Sequence, residues 1–161
     1  MQAKISPNLW FDRESEAAAE FYTSIFPDSR IVSKAHYNEA GPRDAGTVMT
    51  VTFELAGQRF VAIDGGPDFK FNEAVSFEIS CEDQDEIDYY WEKLTDGGSE
   101  GPCGWCKDRF GLSWQVVPAD AEELFGDADP ARAARAMKAM FGMKKLDVAE
   151  LRRAADGVTA A

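Results

Sequence analysis

The chain has little of several residue types that usually carry chemistry. Its 161 residues include one histidine and three cysteines, and 17 Lys and Arg stand against 29 Asp and Glu. A single histidine, His36, rules out any site built from several imidazoles. The net charge of −12 argues against general binding to nucleic-acid backbones or anionic membranes. Three cysteines cannot pair completely, and free cysteines are typical of reducing compartments.

The chain also lacks a long apolar run. No stretch approaches the ~20 residues of a transmembrane helix, and the first residues lack the apolar core of a signal peptide. These absences predict a cytoplasmic protein without membrane or nucleic-acid partners. The length and the apolar content of 45% are enough for one well-packed core.

The order strand, helix and three strands occurs twice. Phe11-Asp12 and Phe21-Tyr22 in the first half correspond to Cys81-Glu82 and Tyr90-Trp91 in the second, which indicates an internal duplication. Apolar periodicity and cap residues predict the elements. We expect strands at 5–11 (at a sheet edge), 30–37, 47–55, 59–64, 74–80 and 112–117, with helices at 16–25, capped by Ser15, and 84–95, capped by Asp83.

The composition changes after Pro118, where three helices are predicted at 121–125, 130–142 and 147–155. Pro130 after Asp129 suits a helix start. Residues 1–118 therefore form one domain of paired modules, about 1–66 and 72–118, and 119–161 form a helical extension. An apolar stripe lies on the second of these helices: Ala133, Met137, Met140 and Phe141. This stripe is expected to pack on the sheet or on a partner chain. A Met-rich surface that contacts a ligand is the alternative.

The stretch from Gly101 to Pro118 carries a Cys-x-x-Cys motif, a turn and the final strand. Cys103 and Cys106 lack the helix start that activates a redox thiolate, which favours inert packing thiols over a dithiol centre. A single reactive Cys103 near a pocket is the alternative. Asp108, in Asp-Arg-Phe-Gly, lies in a solvated turn or stabilises that turn through the backbone.

Three motifs resemble those of one family: Ile-Ser-Pro-Asn-Leu-Trp-Phe-Asp12, Gly-Gly-Pro-Asp-Phe-Lys-Phe-Asn-Glu-Ala74 and Cys-Gly-Trp-Cys-Lys-Asp-Arg-Phe-Gly-Leu-Ser-Trp-Gln-Val-Val-Pro118. The family is PhnB-like, often labelled 3-demethylubiquinone-9 3-methyltransferase domain, within the vicinal-oxygen-chelate superfamily of glyoxalase I, bleomycin-resistance proteins and extradiol dioxygenases. The resemblance covers Lys4 to about Leu151. It implies an α+β fold with two βαβββ modules, whose curled mixed sheets surround a cleft, followed by C-terminal helices. It also implies a homodimer.

Enzymes of that superfamily hold a divalent metal with His, Glu or Gln side chains from the first and last strands of each module. The resemblance places those positions near Pro7, Asp64 and Ala74 and on Gln115. Proline and alanine cannot ligate through a side chain, and a catalytic metal usually needs about three protein ligands. We therefore expect no metal and no cofactor. No Gly-rich nucleotide turn supports the methyltransferase label.

Seven residues are candidates for a ligand pocket: Trp10, Asp64, Phe69, Phe71, Cys103, Trp105 and Gln115. Phe69 and Phe71 lie in a Gly-Pro loop and either cap the sheet or line the pocket mouth. Strand alternation points Trp114 and Gln115 to opposite faces, and Gln115 is the one expected to reach a ligand.

Three functions are consistent with these predictions. The favoured one is a small-molecule-binding protein without a complete metal site. The first alternative is an enzyme of unknown substrate with a degenerate site of Asp64, Cys103 and Gln115. The second is a dimeric interaction module with a filled cleft. No catalytic residue is assigned.

Overall fold

The computed structural model describes residues 4–158 as two compact units, divided after Phe71. In the first unit one helix covers a four-stranded mixed sheet. The elements are β1 (Asn8–Phe11), α1 (Ser15–Ile25), β2 (Arg30–His36), β3 (Val48–Leu55) and β4 (Gln58–Asp64). The strand order in the sheet is β1-β4-β3-β2, with β1 parallel to β4 and the other neighbours antiparallel. The core packs α1 against β3 and β4 through Tyr22, Phe53 and Phe60.

The second unit repeats this arrangement and adds the helical extension. The elements are β5 (Ser76–Cys81), α2 (Gln84–Thr95), β6 (Ser99–Glu100), β7 (Trp105–Lys107), β8 (Ser113–Pro118), α3 (Ala121–Phe125), α4 (Pro130–Met140) and α5 (Val148–Ala155). The strand order in its sheet is β5-β8-β7-β6, and β5 is parallel to β8. The matching strand order in the two units confirms the predicted α+β fold with two βαβββ modules and C-terminal helices.

The two βα helices begin differently from one another. Asp83 caps α2 as predicted, its carboxylate accepting a hydrogen bond from the backbone N–H of Glu86 at 3.0 Å. The prediction that Ser15 caps α1 was wrong, because Ser15 is the first helical residue and its buried Oγ has no partner. Asp64 at the end of β4 takes that role, accepting from the backbone N–H of Ser15 at 2.8 Å. A carboxylate there also suits the positive end of the helix dipole.

Two strand starts differ from the prediction by two residues or more. β1 begins at Asn8 rather than residue 5, although Pro7 still accepts a hydrogen bond from Val61 N–H. It does lie at the sheet edge, as expected for a strand that follows a proline. β5 begins at Ser76 rather than residue 74, because Ala74 belongs to a turn. Within residues 4–158, none of the helices is both long and apolar enough to span a bilayer.

Candidate functional site

The second unit carries a pocket of about 840 Å³. It lies on the sheet face opposite α2, and the inward side chains of β5, β7 and β8 form its floor. A cavity of this size, with mostly apolar lining and a few polar groups, is typical of small-molecule sites.

The floor is organised in two rows that cross the strands. Pairing of β5, β8, β7 and β6 aligns the first row: Ser76, Ser113, Lys107 and Ser99. The second row lies one step further along: Glu78, Gln115 and Trp105. Side chains two residues apart on a strand share a face, so both rows point to the same side. The pocket floor therefore combines hydroxyl, ammonium, carboxylate, amide and indole groups.

Gln115 and Trp114 lie on opposite faces, in the predicted sense. Gln115 lines the pocket, and its Nε2 donates to Ser76 Oγ at 2.9 Å. Trp114 is 3% exposed on the α2 side and packs against Phe77 with 5.7 Å between ring centroids. Gln115 is thus available to a ligand while Trp114 belongs to the core.

Asp108 stabilises the turn before β8 and is not solvated. It is 2% exposed. Its Oδ1 accepts from the backbone N–H groups of Phe110 and Leu112, and its Oδ2 accepts from Trp114 Nε1 at 2.9 Å. Of the two roles weighed from the sequence, stabilisation through the backbone is the one observed. The carboxylate locks the turn to the strand that carries Gln115.

The helical extension supplies another wall of the pocket. Phe125 ends α3, Met140 ends α4, and Phe141, which follows Met140, is 68% exposed. Leu146 is 1% exposed and also borders the cavity. Its side chain lies close to Gly104, because a Cβ atom added to that glycine would be 3.2 Å from Leu146 Cδ1. The extension therefore contributes mainly apolar surface to a floor that is largely polar.

Three sets of hydrogen bonds hold this wall on its own unit. Gln84 at the start of α2 donates to the Leu146 carbonyl and accepts from Val148 N–H, at 3.0 and 2.9 Å. The backbone N–H groups of Cys103 and Gly104 donate to the carbonyls of Met143 and Lys144. Lys144 also pairs with Glu100 at 3.3 Å. These contacts fix the extension on α2 and on the β6–β7 hairpin.

The Cys-x-x-Cys motif forms the turn of that hairpin. Cys103 and Gly104 have φ of 57° and 82°, and Trp105 N–H donates to the Pro102 carbonyl, as in a type I′ hairpin turn. Cys103 is half-buried and borders the pocket. Cys106 is buried, and burial raises the pKa of its thiol to about 12. A buried thiol of that pKa is not a thiolate nucleophile at neutral pH.

We expect alkylation of the folded protein to modify Cys103 and spare the other two thiols. Burial raises the pKa of Cys81 to about 12 as well, so at pH 8 neither buried cysteine supplies thiolate. Peptide mass mapping after iodoacetamide treatment at pH 8 measures the pattern, with urea-unfolded protein as the control that labels all three. Equal labelling of Cys106 and Cys103 in the folded state would contradict the assignment.

The other four candidate residues lie in the first unit. Trp10 donates from Nε1 to the Gly66 carbonyl at 2.8 Å, and Phe69 meets it edge-on with 5.0 Å between centroids. Phe71 packs edge-on against Phe11, at 5.3 Å. Asp64, 5% exposed, is held by α1 and borders a polar pocket of about 580 Å³ beside Arg43. The second-unit pocket thus brings together Cys103, Trp105 and Gln115, while Trp10, Phe69 and Phe71 cluster around β1.

The donor set of the second-unit pocket does not fit a resident metal. Glu78 and Gln115 offer oxygen atoms side by side, which is short of the three protein ligands usual at a catalytic metal. In the part of the chain from 4 to 158, no three His, Cys, Asp or Glu side chains gather in a way that could hold an ion. Asp64 already caps α1, and Pro7 and Ala74 have no ligating side-chain atom.

Comparison with known proteins connects this architecture to a family. A sequence model of the family described as 3-demethylubiquinone-9 3-methyltransferase matches residues 3–117. The chain belongs to this family. The structure of the PhnB protein from Bacillus cereus is 38% identical, with 71% of this chain and 99% of that one covered and a TM-score of 0.64. The PhnB-like resemblance predicted from the three motifs is thereby confirmed.

More distant structures share the fold alone. A protein from Pseudomonas aeruginosa is 19% identical, with 73% of this chain and 98% of that one covered and a TM-score of 0.59. The fosfomycin resistance protein FosX from Mesorhizobium loti is 13% identical, with coverages of 72% and 90% and a TM-score of 0.51. Among curated proteins, none matches the chain significantly. The family match ends at residue 117, so the wall formed by Phe125, Met140 and Phe141 lies beyond it.

Several pocket residues were absent from the sequence-based candidates. Ser113, Lys107 and Glu78 line the pocket and were not proposed as pocket residues. Ser76, which accepts a hydrogen bond from Gln115, was not proposed either. Alternation along the last strand was the available signal for Ser113, which lies two residues before Gln115. The cross-strand partners depend on register between distant segments, which the sequence alone does not provide.

Proposed function

We propose that this PhnB-like protein binds a small molecule in the second-unit pocket without the help of a complete metal site. The observation that carries the proposal is the pocket itself: about 840 Å³, floored by two polar rows and walled by aromatic and aliphatic side chains. Apolar walls provide affinity, and the few polar groups at fixed positions provide orientation and selectivity.

Among the three functions considered, binding has the most support. The space above β5, β7 and β8 is not filled by side chains of this unit, which favours binding over a module with a filled site. The degenerate catalytic set of Asp64, Cys103 and Gln115 has less support, because Asp64 is committed to capping α1. Methyl transfer is not part of the proposal, since the βα connections at 12–14 and 82–83 contain no glycine to approach a nucleotide donor.

Gln115→Ala is expected to weaken ligand binding and to change the melting temperature of the unliganded protein by only a degree or two. The side chain faces the pocket, and surface substitutions usually cost less than about 0.5 kcal/mol. A thermal-shift screen of a small-molecule library finds ligands, because a compound that binds the native state raises its melting temperature. Titration of each hit against wild type and variant then gives the affinity ratio.

The matched control for this screen is Gln58→Ala. Gln58 is an exposed glutamine at the start of β4 in the first unit, outside the second-unit pocket. We expect hits to bind Gln58→Ala as they bind the wild type and to bind Gln115→Ala several-fold more weakly. A library without any hit, or hits that are indifferent to Gln115, would count against the pocket as the site.

We further propose that the protein acts as a homodimer in the cytoplasm. Met137 and Phe141 leave apolar surface exposed on and after α4, at 40% and 68%. Sedimentation equilibrium at micromolar concentration is expected to give twice the chain mass of 17.8 kDa. Met137→Glu should shift the mass toward one chain if this surface is the interface. A wild-type mass near that of one chain would refute the dimer.

A further inference from the structure

Three hydrogen-bond acceptors lie on the neighbouring strands β5 and β8 of the pocket floor, and the Glu78 carboxylate is exposed on the edge strand β5. Glu78 and Gln115 are register partners in the second row, and Ser113 lies beside Gln115 in the first. The Gln115 amide donates to Ser76, so its oxygen remains free to accept. Ser113 is 0% exposed, lines the pocket, and its Oγ has no hydrogen-bond partner. An orphaned buried hydroxyl in a pocket floor indicates a missing polar partner.

The charge around these acceptors is predominantly negative. The lining includes four glutamates and one lysine: Glu73, Glu78, Glu100, Glu122 and Lys107. Lys107 pairs with Glu73, and Glu100 is engaged by Trp91 Nε1 and by Lys144. Across residues 4–158, neither Glu78 nor Glu122 has an ion-pair partner. A cleft lined by one sign of charge concentrates ligands of the opposite sign.

An aromatic group borders the same position. Trp105 occupies the second row next to Gln115 and is partly exposed to the pocket. Indole faces attract organic cations, and Trp is the strongest of the aromatic side chains in this respect. Phe125 and Phe141 on the extension add apolar surface on another side. One cavity therefore contains negative charge and an indole that attract a cation, acceptors for its N–H groups, and apolar surface for the rest of the ligand.

We propose that the ligand is an organic ammonium: a primary or secondary amine, protonated at neutral pH, attached to an apolar or aromatic body. The ammonium group lies by the Glu78 carboxylate and donates to the Gln115 oxygen and to Ser113 Oγ. The body of the ligand contacts Trp105 and the wall made by Phe125 and Phe141. This inference rests on the proposed function and specifies the ligand class of that pocket.

An anionic ligand is the opposing possibility, since Lys107 and three serines lie in the first row. The structure disfavours it for two reasons. Lys107 is already paired with Glu73, and a bound carboxylate would lie one row from Glu78, an exposed carboxylate that repels it. The test below includes a carboxylate probe, so that binding of an anion would be detected.

The test uses three probes that share a phenyl ring: 2-phenylethylamine, 2-phenylethanol and 3-phenylpropionate. Binding to the full-length chain is measured at pH 7 by ligand-observed NMR titration. We expect the amine to bind at least about ten-fold more tightly than the alcohol, and the propionate to bind most weakly. The amine's advantage should shrink as salt rises from 50 to 500 mM, because screening weakens the attraction between opposite charges.

Two variants assign this preference to named groups. Glu78→Gln keeps the shape and removes the charge, and it should cost the amine about five- to ten-fold while leaving the alcohol unchanged. Ser113→Ala should weaken the amine several-fold without lowering the melting temperature, since the removed hydroxyl makes no bond in the free protein. Glu39→Gln, an exposed loop position of the first unit, is the control and should change nothing.

The results distinguish failure of the proposed ligand class from failure of the proposed binding site. Equal binding of amine and alcohol, or an amine affinity unaffected by Glu78→Gln, overturns the ammonium inference. Tighter binding of 3-phenylpropionate overturns it in favour of an anion at Lys107. If none of the probes binds but a library compound does so in a Gln115-dependent way, the class is wrong and the proposed function stands. Failure of probes and library together rejects both.

Discussion

Replacing Trp114 with alanine is expected to lower the free energy of unfolding by about 3–5 kcal/mol, the range for deletion of a buried large aromatic side chain. Trp114 is 3% exposed between the sheet and α2 and packs against Phe77. Its loss also removes the hydrogen bond that Trp114 Nε1 donates to the buried Asp108 carboxylate, which also accepts from two backbone N–H groups. Urea unfolding followed by circular dichroism measures the change.

Two matched variants separate packing from hydrogen bonding in this effect. Trp114→Phe keeps a ring but lacks the N–H, so it should recover part of the loss and retain a deficit of about 1.5–3 kcal/mol, as for hydrogen bonds to charged groups. Gln115→Ala, the neighbour on the opposite face, should cost under about 1 kcal/mol. A larger cost at 115 than at 114 would reverse the face assignment and move the proposed site.

Leu146→Ala is expected to lower the free energy of unfolding by about 2–5 kcal/mol, because leucine deletions in a packed core fall in that range. Leu146 is 1% exposed, borders the pocket, and lies against Gly104 of the hairpin turn. The variant loosens the wall that α3 and α4 present to the ligand. Hits from the screen should therefore bind it more weakly, as measured by titration at a temperature where it remains folded.

The control for Leu146 is Lys138→Ala on α4. Lys138 is exposed and lies outside the pocket lining, so its truncation should alter stability by less than about 0.5 kcal/mol and leave ligand affinity unchanged. If Leu146→Ala costs no more than Lys138→Ala, the extension is not anchored through this residue. If it destabilises without any effect on ligand affinity, the extension is not a wall of the functional site.

Local signals in the sequence predicted the elements that depend on local interactions. The range 84–95 for α2 and its Asp83 cap were confirmed because a cap, an amphipathic stripe and a terminating glycine pair lie within a few residues of one another. The cap of α1 was missed because Asp64 comes from 49 positions further along the chain. Nothing near Ser15 signals a carboxylate from the end of another strand.

Prediction of the site from the sequence was limited by strand pairing between segments that are far apart in the chain. Gln115 was found because the family resemblance marked its position, and alternation then gave its face. Glu78, Ser113 and Lys107 become neighbours of Gln115 only through the register of β5, β7 and β8. The part played by Phe125 could not be predicted, since an amphipathic helix sequence does not specify which surface it covers. For Phe141 the sequence left packing and ligand contact as alternatives.

The position of the wall after the last sheet strand has a consequence for the order in which parts of the protein form on the ribosome. The last strand of the second sheet ends at Pro118, while Leu146, which holds the wall, comes 28 residues later. Chains emerge at about 5–20 residues per second, so the sheet is complete seconds before its cover can dock. During that interval the nascent polypeptide exposes the floor of its own site to chaperones and solvent. Retention of a ligand is therefore possible only after the segment that carries Leu146 has been synthesised.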